Sequence, residues 1–162
     1  MIAIDTVVAA IEAHLEAAAA QTVTVGNAGV SRFNQVIQGP LYRPEGDRIA
    51  AFWIASVVDE KNSLDTFATT YTFTVGLHWK IRPLPSDQSR IEQERIDSLR
   101  AVLNRFWGDC SLGGSVSDID LGPVNHAITQ YVEPTNSTGS VPYLSFMFDL
   151  VITDLNGGSI AP

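Results

Sequence analysis

The alternation of residues 66–81 is the feature that most restricts how this chain can fold. Odd positions carry Phe67, Tyr71, Phe73, Val75, Leu77, Trp79 and Ile81, with Thr69 the one polar member. Even positions carry Thr66, Thr70, Thr72, Thr74, His78 and Lys80, relieved by Ala68 and Gly76. Successive side chains of a strand point to opposite faces, so one face is apolar and the other polar or lightly packed. A proline-broken link, 82–86, then leads into a helix predicted over 87–107. Ile91, Ile96, Leu99, Val102, Leu103, Phe106 and Trp107 share an arc of that helix, and its last turn is expected to be heavily buried. A one-sided strand followed by a one-sided helix requires a helix-on-sheet core.

The rest of the chain supplies the remaining layers. A first helix to about Ala19 is predicted with Asp5 as its N-cap, burying Ile4, Val7, Val8, Ile11, Leu15 and Ala18. Short strands are predicted over 22–25 and 31–38, with a turn at 26–29. Residues 49–58 are apolar at nearly every position, which predicts a central strand covered on both sides, or on one side by a neighbouring subunit. The charged turn 59–63 makes that strand and the next an antiparallel pair. Further strands are predicted over 115–124, 127–133 and 141–155, with a polar turn at 134–139. In the last of them Leu144, Phe146, Phe148, Leu150 and Ile152 share a face. The fold class is therefore α+β: one domain over 1–155, a mixed and mostly antiparallel sheet with two helices packed on one face. Residues 156–162 are expected to form a flexible tail.

Composition narrows the chemistry. The chain has 162 residues and a formal net charge of −8. An acidic surface repels a phosphate backbone, which disfavours nucleic-acid binding. Cys110 is the sole cysteine, so no internal disulfide forms, and it lies in no nucleophile motif. No basic n-region precedes the apolar N-terminal stretch, and no run reaches the ~18 apolar residues of a membrane span. A soluble, unsecreted protein without membrane partners is expected.

His14, His78 and His126 fall on different elements without ligand spacing. His14 is placed at a helix–sheet margin and His78 on the polar strand face. Asp118 and Asp120 are read as neighbours on one strand face, a carboxylate pair with no third ligand. The glycines match neither a dinucleotide fingerprint nor a phosphate loop. No catalytic residue, cofactor site or metal site is expected, and the chain is read as not an enzyme.

The order of elements carries a resemblance. Its most telling parts are Thr70-Tyr71-Thr72-Phe73-Thr74-Val75, the helix through Ile91 to Trp107, Leu112-Gly113-Gly114 and the terminal strand. From about Ile4 to Leu155 this layout resembles the tail terminator proteins of long-tailed bacteriophages. Related phage neck and tail-completion subunits share parts of it.

The resemblance implies a structural virion protein, assembled in the host cytoplasm and found at the head-proximal end of the tail. There a ring, commonly hexameric, stacks on the tail-tube protein, ends tube polymerisation and offers a docking surface to the head connector. It also implies a lumen through which DNA passes unbound, for which Asp59, Glu60, Asp118 and Asp120 are the candidate acidic residues. Thr70, Thr72 and Thr74 are the candidate subunit interface. The alternative is a small dimeric α+β module that binds a ligand or a protein, with 49–58 between its subunits.

Overall fold

The computed structural model describes residues 2–25, 28–61, 66–81, 88–132 and 139–156. Along the chain run α1 (Ile4–Ala19), β1 (Thr22–Val25), β2 (Ala28–Ser31), β3 (Gln35–Gln38), β4 (Arg48–Lys61), β5 (Phe67–Lys80), α2 (Gln88–Gly108), β6 (Asp120–Leu121), β7 (Asn125–Val132) and β8 (Ser140–Asn156). β5 sits at the centre of the main sheet. It pairs antiparallel with β4 on one side and, from Phe67–Asn156 to Lys80–Tyr143, with β8 on the other. β3 runs parallel to the start of β4. β6 and β7 both pair with the far side of β8, and β1 and β2 form a separate hairpin. The α+β class and the mostly antiparallel sheet are as the sequence predicts.

The odd face of β5 meets the helices. Phe73, Val75, Leu77 and Trp79 are buried with Ala50 and Phe52 of β4 and with Phe148, Leu150 and Ile152 of β8. Over them lie Val7, Ile11, Leu15 and Ala18 of α1 and Val102, Leu103 and Phe106 of α2. Phe106 meets the ring of Phe148 edge-on with centroids 6.3 Å apart, within the roughly 4.5–7 Å typical of such pairs. Beyond α1 the chain stays on this face, where the Ile2 N–H donates to Asp154 Oδ2 at 2.7 Å.

Several local expectations change. Ala3, not Asp5, is the N-cap of α1, and Asp5 lies in the first turn, favourably placed for the helix dipole. Asp87, the first residue of the helix predicted over 87–107, lies outside the described residues. On α2, Ile96 and Trp107 are exposed and Leu99 is half-buried, while Ser98 is fully buried as the acceptor of an Arg32 hydrogen bond. The core thus takes a narrower stripe than the arc of apolar residues. The strand predicted over 31–38 is broken by a bend at 32–34, with Ser31 ending β2 and Gln35–Gln38 forming β3, and β2 begins at Ala28 within the predicted turn 26–29. In 115–124 only Asp120–Leu121 is strand. Leu112, Val116 and Ile119 anchor the rest to the core as turns, through Leu112, Gly113 and Gly114 at positive φ. The predicted turn 134–138 and the tail beyond Asn156 lie outside the described residues; Asn156 itself ends β8.

Phe106→Ala should remove a fully buried ring from the helix–sheet contact and destabilise the fold by about 3–5 kcal/mol in chemical denaturation. Trp107→Ala, one residue along but 57% exposed, should change it by less than about 0.5 kcal/mol.

Candidate functional site

The second face of the sheet differs from end to end. Registers place Val58, Thr70 and Thr153 in one row, Ser56, Thr72 and Val151 in the next, and Trp53, Thr74 and Asp149 in a third. Thr70, Thr72 and Thr74 are half-buried; Ser56, Val58, Asp149 and Thr153 are exposed. Among the described residues no helix lies on this side, since α1 and α2 both join the core of the opposite face. The Thr74 hydroxyl donates to Asp149 at 2.8 Å, fixing one threonine rotamer. Apart from Trp53 at its inner end, the sheet here presents a weakly polar surface with short side chains. The residues proposed from sequence as an interface are therefore brought together in one column.

At the other end the same face is covered. Ile49, Val141 and Tyr143 form a small second core with Ile37, Leu41 and Tyr131. Tyr143 donates its hydroxyl to the Gly46 carbonyl at 2.6 Å, holding down the loop that crosses from β3 to β4. His78 lies in this core, 1% exposed, and not on a wet strand face. Its Nδ1 shares a 2.6 Å hydrogen bond with Ser145 Oγ, and Tyr131 packs edge-on against the ring. Nε2 is buried without a hydrogen-bond partner. It stands over Gly76, where an added Cβ falls 2.5 Å away, so only glycine admits the ring. Burial lowers the His78 pKa to about 4. Alternation alone marks His78 as outward, and the neighbouring glycine was the one available signal that it folds back.

The four acidic candidates do not converge within one chain. Asp59 and Glu60 belong to the last part of β4, at one margin of the sheet. Asp120 is on β6 at the opposite margin, with β5 and β8 between. Asp118 lies outside β6, so the expected strand pair with Asp120 is not formed. All four are exposed. Asp59 Oδ1 accepts the Thr69 hydroxyl at 2.6 Å.

One further polar constellation was not foreseen. His14 Nε2 of α1 lies 3.1 Å from Asp109 Oδ2, just past α2. Partial desolvation pushes the Asp109 carboxyl up, but hydrogen bonds from the Ser111 hydroxyl, the Gly113 N–H and His14 outweigh it and hold it below the ordinary carboxylate value. Asp109 thereby closes the Leu112-Gly113-Gly114 turn and ties it to α1. Its acceptor capacity is taken up by structure.

Among the described residues no group of three His, Cys, Asp or Glu is placed to hold a metal ion, and no helix is long and apolar enough to cross a membrane. Comparison with protein-family models and with curated proteins returns no match.

Two measurements check the second core. In the unfolded chain His78 takes up its proton near pH 6.5, in the folded chain only near about 4. Between these values the unfolded state binds more protons, so stability falls as pH drops through the window and levels off below it. A His78→Gln variant should lack this slope, worth about 3 kcal/mol in the wild type. Gly76→Ala should destabilise the wild-type background by more than it does a His78→Ser background, a non-additivity that denaturation of the four proteins resolves.

Proposed function

We propose that the chain is a ring-forming structural subunit of the tail-terminator kind, acting by self-association and by docking on a tail tube. One observation carries the reading most directly. The sheet continues beyond its own covering into a flat half whose column of threonines has no covering layer among the described residues. Threonine favours strands and is committed to neither water nor core, which suits a surface met by another subunit. The runner-up dimer rested on the whole of 49–58 lying between subunits. Ile49, Ala50, Ala51 and Phe52 are instead buried within the chain, which leaves only the second half of β4 for such a contact.

The proposed partners are further copies of the chain, the tail-tube protein and the head connector. The negative charge then serves a lumen through which DNA passes, because few cations are present to replace its counterions. Asp59, Glu60, Asp118 and Asp120 are the proposed contributors.

Thr72→Arg and Thr74→Arg place a long cation on the uncovered face. Each should leave thermal unfolding close to wild type and abolish rings, alone or on tail tubes, in negative-stain microscopy. Rings of normal appearance from both variants would refute the assignment of this face.

A further inference from the structure

The sheet ends in two open backbone edges. Along β4, β3 pairs only as far as Phe52, so residues 53–61 have no strand on their outer side among the described residues. β7 likewise pairs with β8 alone. Open edges are templates for further pairing, and natural sheets commonly guard them with proline or lysine. β7 contains neither, nor any Asp, Glu or Arg.

Both edges also expose large apolar side chains on the same face. A register shift between Ile54 and Ser56 turns the phase of β4, so that Val57 and Asp59 share the helix side of the sheet with Tyr71 and Thr69. Through Phe146 and Leu144, His126 and Ile128 of β7 lie on that side too. Val57 is 52% and Ile128 64% exposed.

We propose that β4 of one copy pairs antiparallel with β7 of the next, residues 56–60 against 129–125, so that the sheet runs on from copy to copy. β4 and β7 already run in opposite directions within one chain, being joined by three antiparallel pairings, β4 with β5, β5 with β8 and β8 with β7. Two copies in the same orientation therefore meet as an antiparallel pair, with their helices on one side. In this register Val57 faces Ile128 and Asp59 faces His126. Apolar meets apolar and a carboxylate meets the imidazole of His126, with no like charge opposite it.

The contact joins two different edges, so it is head-to-tail, and repeating it gives a ring or a filament and never a closed dimer. Within a chain Ile128 is level with Arg48. Meeting Val57 instead steps each copy along the strands by the distance from Trp79 to Tyr71 of β5, about 26 Å at roughly 3.3 Å per residue. A closed ring takes up that step as inclination of its strands.

The inference rests on the ring reading and adds a strand-edge contact to the threonine face proposed above. Its test is disulfide trapping of concentrated full-length protein in a Cys110→Ser background. Val57→Cys combined with Ile128→Cys should oxidise to a ladder of linked chains, while Val57→Cys or Ile128→Cys alone stays monomeric. Val57→Cys with Gln130→Cys, one step out of register on the same face, should link at least tenfold less. Dimers from Val57→Cys alone mean a two-fold β4–β4 contact and overturn the proposal. Rings seen by microscopy without trapping overturn it and leave the ring reading standing. Absence of both trapping and rings, free or on tail tubes, overturns the two together. As a second readout, Val57→Glu should block association and Ile128→Lys in the mixed partner should restore it.

Discussion

The antiparallel ladder between β5 and β8 is the constraint on which the remaining structure depends. Each of the fourteen residues of β5 has a partner in β8, and every pair fixes which of the two faces its side chains join. Once Phe73 is opposite Leu150 and Val75 opposite Phe148, the helix side of the sheet is defined along its length. The helices then cover that side with narrow stripes, Val7-Ile11-Leu15-Ala18 and Val102-Leu103-Phe106. A slip of one residue would exchange the two faces and expose the core. Neither helix could compensate, because each has a single apolar stripe to offer.

The other face divides into a sealed end and a bare end, and side-chain size explains the division. Gly76 and Ala51 leave room above the strands for the His78 ring, and Tyr131 and Tyr143 close over it. Burying an imidazole here is tolerable because one ring nitrogen reaches Ser145 and the ring stays neutral. Beyond Gly76 come Trp53 and Asp149 beside Thr74, and then threonine, serine and valine, too short to reach a covering layer. The bare end is thus a property of which residues were placed there.

Much of this was legible in the sequence. The one-sided alternation of 66–81, the common face of Leu144 to Ile152 and the stripe of α1 gave the layers and their contacts, because period and burial agree in them. Three places escaped the same reasoning. Residues 115–124 alternate loosely but are held by turns, since Leu112, Val116 and Ile119 reach the core without a strand. Trp107 follows buried Phe106 yet points outward, because consecutive helical residues lie 100° apart and only one can face the sheet. His78 reads as polar and is buried, since its burial depends on Ser145, sixty-seven residues away. The threonine column was visible as a pattern; that nothing lies over it was not, because coverage is decided by where distant elements dock.

The irregularity in β4 has a consequence for how this strand tolerates change. Ala55 stands between two stretches of opposite phase, so the apolar run 49–58 is two half-strands joined at a switch. Loss of Ala55 would remove the extra residue and leave Ile54 opposite Phe73 and Ser56 opposite Thr72, so Val57 would keep its side. An inserted residue that the irregularity does not absorb would exchange the sides of Val57 and Val58 while β3 holds the first stretch, and the outer rim would present a different profile from an unchanged interior. The strand is in that sense modular: its inner half answers to the folding of one molecule, and its outer half can be retuned without consulting it.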